Sequence, residues 1–171
     1  FENEYLGVPY IADQICRLIR AHGDNASARD IYEELPPFVL GLTTGRSPLG
    51  LYRELVKRYR EGKVSFRNVA VFSLDEFYPI RSDEQQSRNY RIHDELLRHI
   101  DILPENVHIP DGTVPESEIS EYCAAYEKSI RKIDLMIIGM GEQGQIGFND
   151  QGSYAKSHTR LVELSHNSRK V

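Results

Sequence analysis

Apolar residues recur along this chain in two rhythms, one helical and one of short unbroken runs, and the two alternate. Between Pro9 and Gly23, Ile11, Ile15, Leu18 and Ile19 fall at helical spacing, with the proline fitting a first turn and the glycine a stop. After a polar stretch, Pro36-Pro37 leads into Phe38-Val39-Leu40-Gly41-Leu42, a run short enough for a buried strand. Pro48 then opens a helix with Leu51, Tyr52, Leu55, Val56 and Tyr59 on one face and Gly62 at its end. The second strand is Val69 to Leu74, and it runs straight into Asp75-Glu76. Tyr90, His93, Leu96, Leu97 and Ile100 mark a further helix, in which His93 reads as a hydrogen-bonded core residue. A short strand over 107–109 and a turn at Pro110 follow. Pro115 starts the last helix, faced by Ile119, Tyr122, Cys123, Tyr126 and Ile130, and Ile133 to Ile138 is the most apolar strand.

Strands alternating with helices predict an α/β fold, a mainly parallel sheet covered on both faces, with ligand-binding loops gathered at the strand C-termini. Three loops are expected to meet there: 43–47, 75–80 and 139–153. The whole of 1–171 reads as one domain, since no linker or repeat divides it. No Met opens the chain and the end at Ser168-Arg169-Lys170-Val171 carries no stop signal, so the C-terminal part of the domain is expected to be absent.

Composition removes several function classes. With 40% hydrophobic and 27% charged residues the chain should fold, and a net charge of -5 offers no general attraction to nucleic acid or anionic lipid. An anion must therefore be held by a local site. Apolar runs are far shorter than a membrane span needs, the opening FENEY is acidic where a signal peptide is basic, and the two cysteines lie far apart. These features predict a cytoplasmic protein with two buried thiols. The six histidines show no metal-ligand spacing, so no metal is expected.

Thr43-Thr44-Gly45-Arg46-Ser47-Pro48 joins a strand to a helix and offers what a phosphate dianion needs: free amides at a helix start, hydroxyls, a guanidinium, and a glycine for close approach. The plainer alternative has Ser47 capping the helix with Pro48 at its first position. Asp75 leaves an apolar strand and is flanked by Phe77 and Tyr78. Partial desolvation there would raise its pKa into the range of a base that moves a proton between carbons. Gly139-Met-Gly141-Glu-Gln-Gly144 spells a dinucleotide fingerprint, with Glu163 near the distance of a ribose-binding acid, but the residues after it make a poor helix.

Taken in order and at their separations, LGLTTGRSP, VFSLDEF, IIGMGEQGQIGFNDQGS and TRLVELSHNSR resemble the glucosamine-6-phosphate deaminase family, which is related to the 6-phosphogluconolactonases. That resemblance implies a Rossmann-like three-layer α/β/α domain and no cofactor. It also implies amino-sugar catabolism: ring opening, proton transfer from C2 to C1, and release of ammonia to give fructose 6-phosphate. By the same resemblance Thr43, Thr44, Gly45, Arg46 and Ser47 with Gly141 match the phosphate and substrate loops, Asp75 the proton-carrying base, and Glu76 its companion. Gln143, Gln145 and Asp150 match the remaining catalytic positions, and Ser153 and Arg160 an allosteric pocket. The implied partner is a small sugar phosphate, with a homo-oligomer left open.

Four of those positions depart from the family pattern, which has aspartate, histidine and glutamate where this chain has Gln143, Gln145 and Asp150, and a small residue where it has Arg46. A glutamine amide hydrogen bonds but cannot relay a proton, so turnover is expected to fall by ~10²–10⁴. Val162 stands where a lysine is usual, which argues against activation by N-acetylglucosamine 6-phosphate. Besides the enzyme, two readings stay open: a non-catalytic module that binds a sugar phosphate, and a dinucleotide-binding domain.

Overall fold

In the computed structural model, residues 4–24, 36–141, 144–150 and 152–165 are described. Four strands, β1 (Phe38–Leu42), β2 (Val69–Ser73), β3 (Val107–His108) and β4 (Leu135–Met136), pair in the order β3-β2-β1-β4, and every pairing is parallel. The chain thus moves outward from β1 to β3 on one side and then crosses to β4 on the other. Such a reversal beside the first strand is the topological switch point at which open α/β sheets form a crevice.

Alternation along the strands decides which helix covers which face. Phe38, Leu40 and Leu42 of β1 with Val69 and Val71 of β2 point to one side, where they form a buried cluster with helices α1 (Glu4–Asp24), α2 (Arg46–Arg60) and α3 (Arg88–Glu95). Leu40, Tyr52, Leu55, Phe66, Val71, Ile92 and Leu96 are completely or almost completely shielded there, each such side chain contributing roughly 1.5–3 kcal/mol. On the opposite side Phe72 stacks on His108 and meets Tyr126 of α4 (Ile119–Ser129) edge-on. Helix, sheet and helix make three layers, the Rossmann-like α/β/α arrangement.

Several elements differ from the pattern read in the sequence. Pro9 lies inside α1 and not in its first turn; it removes only the backbone bond to residue 5, close to the helix start. The buried stripe of α1 is Ala12, Ile15, Cys16 and Ile19, whereas Ile11 and Leu18 are 43% and 46% exposed, because the small Ala12 and Cys16 let the helix approach its neighbours on that side. Helix α2 begins two residues before Pro48. The helix expected over 90–100 leaves α geometry at Leu96 (φ −138°) and ends in a short 3₁₀ turn over Leu97–His99. The apolar run 133–138 pairs with β1 only at Leu135–Met136, and Ile138 is 53% exposed: hydrophobicity forecast a buried strand, but the run lies at the edge of the described sheet. Cys16 is buried and Cys123 half-buried, and both are free thiols.

Candidate functional site

The loops after β2, β1 and β4 leave neighbouring strand ends, which in a sheet stand ~4.8 Å apart. The Leu74 N–H reaches the Leu42 carbonyl at 2.9 Å, so the first two loops are joined at their roots.

After β1, Thr43 is buried and its carbonyl accepts the buried Tyr52 hydroxyl, which fixes the loop to α2. Gly45 is the residue at which the chain turns into the helix, at φ +122°, a value that strains any residue with a Cβ. It provides no side-chain cap. Ser47 is therefore not the cap but the second helical residue, exposed like Arg46. A Cβ built on Gly45 would meet nothing within 4 Å, so the space before the helix start is open. The Thr44 hydroxyl is buried without a hydrogen-bond partner. Helix-start amides and an unpaired hydroxyl in one turn form a donor set for an anion.

After β2, the Asp75 side chain is 11% exposed. Burial pushes its carboxyl above the usual aspartate range; Arg88 opposes that rise, neighbouring Glu76 adds to it, and the Phe148 N–H, donating to the carboxylate, opposes it. Arg88 Nε stands 3.5 Å from Asp75 Oδ1. Glu76 has a different task. Its Oε1 accepts the Phe77 and Arg88 N–H groups at 2.7 and 2.9 Å, and its Oε2 accepts the Ser87 hydroxyl and the Asn89 N–H at 2.8 and 2.9 Å. With Ser87 as N-cap, this carboxylate closes the start of α3, where negative charge meets the positive end of the helix.

After β4, the chain makes turns. The Gly141 N–H donates to the Gln145 carbonyl at 2.8 Å, and Met140, Ile146 and Asn149 form isolated antiparallel bridges. The Gln145 side chain lies against Gly141, where a Cβ would come within 2.3 Å of its amide nitrogen. Gly147 (φ +57°) crosses so close to the second loop that a Cβ there would stand 2.6 Å from Asp75 Oδ2 and from Leu74 Cδ2. Asp150 Oδ2 accepts the Ser165 N–H at 3.1 Å. Gln143 lies outside the described residues. No helix follows Gly144 among the described residues, so the dinucleotide fingerprint lacks the helix start that would meet a pyrophosphate.

Ser153 and Arg160 come together, with Arg160 Nη2 donating to Ser153 Oγ at 3.0 Å and to Asn149 Oδ1 at 3.3 Å. Their segment is pinned on α4 by Glu127, whose carboxylate meets His158 Nδ1 and the Thr159 N–H. A cavity of about 510 Å³ lies between that segment, α4 and the second loop, lined among others by Asp75, Tyr122, Tyr126, Phe148 and Arg160. Thr43 to Ser47, Gly141, Gln145 and Asp150 do not line it. Asp75 therefore faces the cavity on one side and meets the loop after β4 at Gly147 and Phe148. Arg88 and Phe148 were missed in the sequence, and Tyr126 was read there only as part of a helix face. Arg88 carried one signal, a position just after the capping Ser87.

Among the described residues no helix is long and apolar enough to cross a membrane, and no group of three or more His, Cys, Asp or Glu could hold a metal ion. The family model for glucosamine-6-phosphate isomerases/6-phosphogluconolactonase matches residues 11–170. The glucosamine-6-phosphate deaminase of Porphyromonas gingivalis is 46% identical over 132 residues, 75% of this chain and 49% of that protein. The glucosamine-6-phosphate isomerase of Candida albicans is 45% identical over 130 residues, 74% of this chain and 52% of that protein. Among solved structures, a monomeric glucosamine-6-phosphate deaminase superposes with a TM-score of 0.75 at 34% identity, covering 85% of this chain and 61% of the other. The 6-phosphogluconolactonase of Thermotoga maritima gives 0.59 at 26% identity, covering 82% and 63%. The chain spans about half the length of the curated relatives it matches. With the sheet order, the loops at its switch point and these likenesses in agreement, the chain belongs to the glucosamine-6-phosphate isomerase/6-phosphogluconolactonase family.

Proposed function

We propose that this chain acts on glucosamine 6-phosphate as a deaminase, converting it with one water to fructose 6-phosphate and ammonia. In this reading the phosphate is held by the amides of Arg46 and Ser47 and the Thr43 and Thr44 hydroxyls. Asp75 removes the proton from C2 of the open-chain sugar and returns it to C1, after which water displaces the amine from C2. Gln145 and Asp150 hold sugar oxygens, and Glu76 is a positioning residue that fixes the start of α3. The observation that supports this most is a shielded carboxylate just after β2, beside the strand that leads into an open, uncapped helix start. An anion bound at one would present its carbon chain to the other.

A second reading, a module that binds a sugar phosphate without turning it over, is favoured by one observation. The Gln145 amide lies folded against Gly141, and an amide cannot carry the proton that ring opening needs. Release of ammonia and fructose 6-phosphate by the protein, measured before and after Asp75→Asn, separates the two. The enzyme predicts turnover that falls by ~10²–10⁴ in the variant with phosphate affinity kept. Undetectable turnover beside saturable binding of glucosamine 6-phosphate would establish the module instead. Gln145→His should raise turnover if ring opening is the slow step.

A further inference from the structure

Arg88 is a charge buried where a charge is costly. The residue is 5% exposed, and its guanidinium carbon lies 4.6 Å from the ring centre of Phe77 and 4.9 Å from that of Phe148, with the two rings 4.8 Å apart. Phe77 comes from the loop after β2 and Phe148 from the loop after β4, so the guanidinium ties together two of the three loops at the switch point. Its Nε–H is buried, has no hydrogen-bond partner, and stands 3.5 Å from Asp75 Oδ1. A buried donor left without a partner is unfavourable, and a guanidinium cannot escape by losing its proton. The backbone of the same residue donates to Glu76, so main chain and side chain both anchor beside the second loop.

A shielded aspartate has the opposite problem. Desolvation favours its neutral form, and a neutral carboxylic acid cannot take a proton from carbon. Something must keep it an anion. The groups that face Asp75 are Glu76 beside it, Arg88 from α3, the Phe148 N–H from the glycine-rich loop and the Tyr126 phenol from α4. Of these side chains only Arg88 carries positive charge.

We propose that Arg88 is the positioning residue of the site: fixed by the faces of Phe77 and Phe148, it keeps Asp75 ionised and oriented for proton transfer. This rests on the reading of Asp75 as the base. The aromatic contacts hold the guanidinium from both sides, and Phe148 joins the glycine-rich loop to it.

The test is the titration of the Asp75 carboxyl carbon by NMR, assigned with Asp75→Asn, in the unsubstituted protein and in Arg88→Met and Arg88→Lys. An opposite charge at this range depresses a carboxyl pKa by ~1–3 units, so Arg88→Met should move the midpoint up by about one unit or more. Arg88→Lys should move it less. A folded Arg88→Met protein with an unchanged midpoint overturns the proposal. If that variant does not fold, Phe77→Leu and Phe148→Leu decide: each should raise the midpoint by a fraction of a unit, and no shift in either overturns it. A purely structural role would lower the melting temperature and leave the titration where it was. Where turnover is measurable, the acid limb of kcat/KM should follow the carboxyl midpoint across the series. Should the unsubstituted protein show no turnover, the deaminase reading falls, while the titration still decides what Arg88 does.

Discussion

The loop after β1 delivers the chain within a few residues into a fifteen-residue helix, whereas the loop after β4 closes on its own carbonyls and never reaches a helix among the described residues. Each turns on a glycine, Gly45 in the first and Gly147 in the second, yet the two glycines do different work. Gly45 adopts a backbone angle that leaves the helix-start amides pointing into open space, a geometry that concentrates positive potential and asks for an anion. Gly147 instead lets one stretch of backbone pass against Asp75 so that the next residue can give it an N–H. In the proposed reading one loop holds the anion and the other shapes the carboxylate that reacts. A glycine-rich segment after a strand is thus no phosphate loop until a helix stands behind it.

Substitutions at these two glycines should therefore fail in different ways. The largest effect is expected from Gly147→Ala, whose methyl group must push aside Asp75 Oδ2 and Leu74 Cδ2; a displacement of ~1 Å costs about 10²-fold in turnover. Steady-state ammonia release should show that loss while inorganic phosphate binds as before. Gly45→Ala should do the reverse. Its left-handed angle makes the substitution cost ~1–3 kcal/mol, read as phosphate affinity weakened by roughly 5- to 150-fold, with kcat largely kept. If both variants lose affinity and turnover alike, the division between the loops is wrong.

Smaller in effect, Glu76→Ala should cost about 1–3 kcal/mol in chemical denaturation, because four donors lose their acceptor. Hydrogen exchange should speed up at the Arg88 and Asn89 amides first. The slightest effect is expected where the segment after Ser153 rests on α4. His158 is held above its ordinary 6.5 by the Glu127 hydrogen bond, and Glu127 below its ordinary 4.5, first by that bond. The histidine's contribution is complete below about pH 6.5 and disappears as pH rises through its raised value; the glutamate's is complete above about 4.5 and disappears as pH falls through its lowered one. Protection of the Thr159 amide should be greatest between those two values and fall on either side.

The sequence was most readable where burial is local. Phe38 to Leu42 and Val69 to Ser73 are short apolar runs bounded by turn residues, and both form central strands; the stripe Leu51, Tyr52, Leu55 and Val56 is buried in α2. It was less readable where several apolar faces compete. In α1 the large Ile11 and Leu18 looked like core, but packing chose the side that carries Ala12 and Cys16, since closeness of approach counts as well as side-chain area. The run at 133–138 failed for a related reason: hydrophobicity does not say how many neighbours a strand has. In the site, the position of Asp75 followed from the strand that ends before it. Arg88 did not, because nothing local distinguishes an arginine paired with a carboxylate thirteen positions earlier from one in solvent.

Turnover in the proposed reading depends on one juxtaposition, an anion at the start of α2 bringing a sugar carbon to Asp75. Glucosamine 6-phosphate titrated into isotopically labelled protein reports both ends at once, through the Arg46 and Ser47 amides and the Asp75 carboxyl carbon. The prediction is that all three shift with a common midpoint, while inorganic phosphate moves the amides and leaves the carboxyl carbon in place. Amides that respond to the sugar phosphate at saturation while the Asp75 carboxyl carbon stays still would contradict it.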